Sequence, residues 1–104
     1  MYKLYGRPGS GNVAVEALLA ECGAAHEVIT VERDAQNRFS ENYARINPMR
    51  QVPTLVLPDG TVMAESAAMM IYLADLYPAK GLAPAPMSPA RASYLRWMVF
   101  MSAN

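Results

Sequence analysis

Three short stretches carry the residue types that binding chemistry needs. Glu65-Ser66 stands where a run of β-formers gives way to a helical pattern. A hydroxyl and a carboxylate in a first turn can cap a helix unaided. The same pair can also hold a ligand. Free N–H groups at a helix N-terminus receive a carboxylate, and Glu65 offers a counter-charge to an ammonium. Pro8-Gly9-Ser10-Gly11-Asn12 lies between a short strand and a helix. It is a Gly-rich turn with Ser10 or Asn12 as N-cap, or a loop whose hydroxyl donates to a bound thiol. In the second case the helix N-terminus helps to lower that thiol's pKa from about 8.5 toward neutrality. Gln51-Val52-Pro53-Thr54-Leu55 places a proline just before a strand. A trans proline at a strand start is the ordinary reading. A cis proline would let a strand-leading residue present its backbone N–H and C=O outward, where an extended peptide could pair with them.

The elements that must position these stretches follow from periodicity. Residues 2–6, with β-formers at Tyr2, Leu4 and Tyr5, predict a strand. Residues 12–22 predict a helix with Ala14, Ala17, Leu18 and Cys22 on its apolar face and Gly23 just past its end. Residues 26–31 are rich in β-branched types and predict a second strand. Phe39, Tyr43 and Ile46 recur at i, i+4 and i+7 and predict a short helix stopped by Asn47-Pro48. Residues 54–57 and 61–64 predict a hairpin around Pro58-Asp59-Gly60. Ala67, Met70, Ile71, Ala74 and Tyr77 form a helical stripe, while Met69, Leu73 and Leu76 make a second apolar side. A helix apolar on two sides is expected between layers. The order is β-α-β-α-β-β-α. A helical crossover makes the first two strands parallel, and the hairpin makes the last two antiparallel. The economical result is an α/β fold, a four-stranded mixed sheet with helices on both faces.

Residues 82–87 are proline-rich and uncharged and read as a linker. Ser88-Pro89 reads as the start of a further helix, with Ser at N-cap and Pro at N1. Trp97-Met98-Val99-Phe100-Met101 covers most of that helix with apolar surface. Such a helix needs a partner beyond these 104 residues.

Composition excludes several classes. Apolar residues make up 53% and charged residues 17%, which is globular rather than disordered. Nine basic and nine acidic residues balance, so nucleic-acid binding has no electrostatic support. The longest plain apolar run, residues 67–74, is far below the roughly 20 needed to span a bilayer. Lys3 and Arg7 precede no apolar signal region, and the single Cys22 can form no internal disulfide, so cytoplasm is expected. Cys22 reads as core and His26 as a strand-edge residue. No metal cluster is seen, so no metal is expected.

Taken in order, Leu4-Tyr5, Pro8-Gly9-Ser10, Asn47-Pro48, Gln51-Val52-Pro53-Thr54-Leu55, Asp59-Gly60 and Glu65-Ser66 followed by Ala68-Met69-Met70-Ile71-Tyr72-Leu73 resemble the glutathione transferase family. The chain is similar to bacterial members near the beta, theta and delta classes. Residues 1–81 resemble the N-terminal domain and residues 88–104 the first helix of an all-α C-terminal domain. The resemblance implies a thioredoxin-like fold, glutathione as cosubstrate, and a thiolate that attacks a small electrophile, a detoxifying reaction. It implies that Val52, after Gln51 and beside a cis Pro53, pairs with the cysteinyl part of glutathione. Glu65 and Ser66 would hold the γ-glutamyl end. Ser10 would stabilise the thiolate, with Asn12 as its nearest rival. Arg50 would meet the glycine carboxylate or stand as a solvated loop residue. A homodimer or a missing helical domain would be the partner. The alternative is a glutathione-transferase-like binding or dimerisation module without turnover. The sequence departs from the family at several points. The beta-class cysteine has no match, the delta-like arginine after Glu-Ser is Ala67, and Tyr5 fits a structural strand residue better than the mammalian tyrosine. The Pro-Gly-Ser-Gly loop argues against dithiol chemistry.

Overall fold

The computed structural model describes residues 1–103. Strand β1 (Tyr2–Gly6) alternates its side chains, with Tyr2 and Leu4 buried on one face and Tyr5 turned to the other. It lies parallel to β2 (His26–Thr30) and antiparallel to β3 (Thr54–Val56), which pairs with β4 (Val62–Ala64). The sheet order is β2-β1-β3-β4. The β3–β4 turn is locked by Leu57 N–H to Thr61 O at 2.8 Å and Thr61 N–H to Asp59 Oδ1 at 2.9 Å. Gly60 sits there at φ +92°, which an L side chain rarely adopts.

Helices α1 (Asn12–Glu21) and α3 (Ser66–Leu76) pack on one face of the sheet. Leu4, Val15, Leu19, Leu55, Met69 and Leu73 are fully buried between them. Each is worth about 1.5–3 kcal/mol over exposure. Helix α2 (Glu41–Ile46) covers the opposite face, where Val31, Phe39 and Tyr43 pack with Tyr5, Ile46 and Val52. The thioredoxin-like arrangement of a four-stranded mixed sheet with helices on both faces is therefore present.

Four details differ from the sequence reading. The buried stripe of α1 is Asn12, Val15, Leu19 and Cys22, whereas Ala14 and Ala17 are exposed and Leu18 is half-buried. Val15 and Leu19 remove more apolar area from water than two alanines, so that stripe wins the core. In α3 both apolar sides contribute buried residues, Ala67 and Ala74 from one and Met69 and Leu73 from the other, while Met70, Ile71 and Tyr77 are half-buried and Leu76 is exposed. Phe39 lies outside α2: Ser40 caps that helix, accepting from Tyr43 N–H at 3.2 Å, and Phe39 packs edge-on against Tyr43. Finally, α4 (Arg91–Ala103) begins at Arg91 rather than at Ser88-Pro89. Two turns precede it, Ser88 N–H to Ala85 O at 2.9 Å and Arg91 N–H to Ser88 O at 3.1 Å. The Ser88 carbonyl takes the N–H that its side chain would have capped.

Between α3 and α4 runs a 3₁₀ turn (Pro78–Lys80) ending in left-handed Gly81. Arg91 ties α4 back to α3. Its guanidinium makes a fork to Asp75, 2.9 Å to each carboxylate oxygen, and also reaches Pro84 O at 2.9 Å. The carboxylate raises the Arg91 pKa, and the guanidinium holds the Asp75 carboxyl below its usual value.

Candidate functional site

The sheet ends, the β1–α1 loop and the α3 N-terminus converge on one cleft of about 230 Å³. Its floor is Gln51, Val52 and Pro53, and the Val52–Pro53 bond is cis. Among the described residues nothing bonds to the backbone N–H or C=O of Val52. One side is Ala64, Glu65 and Ser66, and the other is Gly11. Ser102 of α4 and Asn47 complete the lining.

Glu65 precedes α3 at φ +72°, ψ 111°, a conformation that costs a non-glycine residue on the order of 1–3 kcal/mol. No side chain caps α3, so its first N–H groups stay available, and the exposed Glu65 carboxylate makes no ion pair among the described residues. The pair therefore does not stabilise the helix end in the way that a cap would. An anion receiver and a counter-charge for a cation stand side by side.

Gln51 is fixed from below. Its carbonyl accepts from the Tyr43 hydroxyl at 2.5 Å and from Asn47 Nδ2 at 3.1 Å. Asn47 also donates to Thr54 Oγ1 at 3.0 Å and accepts from Met49 N–H at 3.0 Å. Burial raises the Tyr43 pKa, and the neighbouring polar groups of Thr54 and Asn47 partly offset that. The sequence marks Asn47 as a helix stop and a member of the ordered motif, and Tyr43 as an apolar repeat. The buried polar network that they form with Thr54 has no local sequence signal.

The remaining expected residues fall elsewhere. Ser10 Oγ donates to Arg7 O at 3.0 Å and lies against Asn12 Oδ1. Asn12 is buried, and its Oδ1 also accepts from Arg7 N–H at 3.2 Å. Both side chains turn back onto the loop, and neither lines the cleft. Arg50, at φ +53°, reaches away to Glu41 at 2.6 Å. Tyr5 packs against Tyr43 on the α2 side, as a strand residue. Cys22 is in the core, its pKa raised by burial, and His26 opens β2 with Nδ1 2.8 Å from Ala24 O. Among the described residues no group of three or more His, Cys, Asp or Glu side chains could hold a metal ion. No described helix is long and apolar enough to cross a membrane.

The uncapped start of α3, the unpaired backbone of Val52 and the Gly-rich loop stand around one cleft in a chain that matches a known sequence family. The family model for the glutathione S-transferase N-terminal domain matches residues 14–76. The chain belongs to the glutathione S-transferase family. It is 34% identical over 103 residues to glutathione S-transferase GstA of Escherichia coli O157:H7, covering 96% of this chain and 50% of that protein. A solved glutathione transferase from Methylococcus capsulatus superposes with a TM-score of 0.86 at 33% identity, covering 98% of this chain and 51% of that one. A sphingomonad glutathione S-transferase complexed with glutathione gives 0.85 at 35%, covering 97% and 51%. The chain spans about half the length of these relatives. Within the family's N-terminal domain, the cleft described above is framed by Val52, Glu65 and Ser66, three residues singled out by the motif order.

Proposed function

We propose that the cleft binds glutathione and that the chain supplies the thiol-activating half of a glutathione transferase. One juxtaposition carries the reading: the unpaired backbone of Val52 stands in the same cleft as the uncapped start of α3. The cysteinyl backbone of the tripeptide pairs with Val52 in antiparallel fashion. The γ-glutamyl carboxylate meets the first N–H groups and hydroxyl of Ser66, and its ammonium meets Glu65. Gln51 leads the strand into that pairing. Arg50 can reach the glycine carboxylate by leaving Glu41. Exposed pairs are worth about 0–1 kcal/mol, so that exchange costs little. The glutathione held by the sphingomonad relative supports this occupant.

The thiolate then attacks a small electrophile in the cytoplasm, a detoxifying conjugation. Residues 1–81 act as the binding domain, 82–87 as the linker, and 88 onward as the beginning of a helical domain. That domain, or a second copy in a homodimer, covers α4, on which Trp97, Val99 and Phe100 are each about half exposed. Isothermal titration with glutathione tests the reading. Saturable binding that Glu65→Gln weakens is expected, and absence of binding to the folded chain overturns it. Conjugation of an activated aryl halide by the chain joined to its helical half tests turnover.

A further inference from the structure

We infer that Ser102, on α4, is the hydroxyl that meets the sulfur of bound glutathione, a role that rests on glutathione occupying the cleft. The cleft adjoins a second hollow of about 410 Å³ whose walls include Met70, Met98 and Met101. Gly11, Ser66 and Ser102 line both spaces. A nucleophile held in the polar cleft can meet an apolar reactant only across that shared border, so the sulfur belongs there.

Three residues compete for the sulfur at the border. Gly11 has no side chain; a Cβ built on it would stand 3.6 Å from Pro53 Cδ and 3.9 Å from Ser66 Oγ, so the passage beside it is narrow. Ser66 opens α3, where the γ-glutamyl carboxylate takes its hydroxyl. Ser102 is left, and it is exposed. Its Oγ donates to Val99 O at 3.2 Å, a bond inside its own helix that rotation about χ1 releases. A hydrogen bond to a thiolate is charge-assisted and stronger than that hydroxyl–carbonyl bond, so the exchange is favourable. Ser10 stands apart from that border. It lines neither space, and its hydroxyl is held by Arg7 O and Asn12.

On binding, the thiol gives its proton to water while the Ser102 O–H donates to the sulfur. The sulfur lone pair then forms the S–C bond. A halide leaves with the pair of the broken bond, or an activated alkene takes a proton from water on the carbon left negative.

The bound thiol's pKa, read by thiolate absorbance in a pH titration of the glutathione-saturated chain, tests the assignment. Ser102→Ala is expected to raise it by about one unit. Ser102→Thr, which keeps the hydroxyl, should restore it, and Ser10→Ala should leave it unchanged. S-methylglutathione, which has no thiol to ionise, should bind wild type and Ser102→Ala equally. A Ser102→Ala titration identical to wild type, with glutathione still bound, overturns the role of Ser102 and leaves the reading of the cleft standing. A shift produced by Ser10→Ala instead also overturns it. Failure of the wild-type chain to bind glutathione removes both.

Discussion

Tyr43 and Thr54 bring their hydroxyls within 2.7 Å of each other beneath the carbonyl of Gln51. One set of donors closes this group. Tyr43 donates to Gln51 O, so Thr54 donates to Tyr43, and the two Asn47 Nδ2 protons go to Thr54 and Gln51. The bonds end on the residue before Val52, so the network positions the backbone that pairs with the ligand. Tyr43→Phe removes one donor from Gln51 and leaves the Thr54 O–H only the Gln51 carbonyl, at 3.4 Å, as acceptor. A loss of about 1–3 kcal/mol in stability is expected. Glutathione affinity should fall several-fold as well. Urea unfolding and calorimetric titration read the two effects; lowered stability with an unchanged dissociation constant would show that the network does not position Val52.

Glu65 separates binding from stability. Its carboxylate is exposed and unpaired, so Glu65→Gln should leave the unfolding midpoint within about 0.5 kcal/mol of wild type. The same change removes a charge-assisted contact worth about 1.5–3 kcal/mol of glutathione affinity. Glu65→Gly relieves the φ of +72° and should keep or slightly raise stability while binding is lost. A Glu65→Gly protein that binds glutathione as wild type does would reject the ammonium contact.

Much of this was legible because local signals and tertiary context agree. The hairpin around Asp59-Gly60, the strand-to-helix corner at Glu65-Ser66 and the order of elements all rest on turn residues and periodicity. The α1 face was not legible, because Ala14, Ala17 and Leu18 form an apolar stripe beside that of Val15 and Leu19. Only the sheet decides which stripe is buried. The loop residues Ser10 and Asn12 were placed by type, but a two-residue spacing lets them bond to each other and to Arg7. Ser102 stood in a helix read only for its apolar surface, and its approach to the cleft depends on how α4 packs.

Gly6 tests the loop directly. A Cβ there would come 2.2 Å from Asn12 Cγ and 2.5 Å from its Oδ1. Asn12 is buried, so it has no open space to retreat into. Gly6→Ala must displace it from Arg7 N–H, and a loss of about 1–3 kcal/mol is expected. The double variant Gly6→Ala with Asn12→Ala should lose less than the sum of the two single changes. Additive losses would show that the two residues do not share this contact.

Alkali should weaken the fold. Burial raises the pKa of Tyr2, Tyr43 and Tyr94 above the usual 10.0, and that of Cys22 above 9.0. The folded chain then keeps protons that the unfolded chain releases. Stability from these groups is complete below about pH 9 and falls as pH rises past 9 and then 10. Thermal midpoints measured from pH 7 to 11 should be level and then drop. In Tyr43→Phe the drop should be shallower than in wild type. A midpoint that rises above pH 10 would reverse the sign of these shifts.

Arg91 holds α4 where packing alone does not. No residue of α4 is buried, and only Arg91, Tyr94 and Met98 are half-buried, the last two lining a groove with Leu18, Met70 and Ala74. The fork to Asp75 is more enclosed than most surface pairs, with the Arg91 side chain 13% exposed and that of Asp75 39%. A two-point pair fixes direction as well as distance, which lysine cannot reproduce. Arg91→Ala and Arg91→Lys should therefore both speed amide exchange in α4, with the protection of β1, α1 and α3 retained. Acid should act in the same way. Because the pKa of Asp75 is lowered in the fold, its contribution is present above about pH 3.8 and is lost as pH falls through the lower folded value. Hydrogen exchange by mass spectrometry at constant protein concentration reads both arms. If α4 stays as protected in Arg91→Ala as in wild type, another surface holds it. A dependence of that protection on protein concentration would identify a second copy of the chain as the cover.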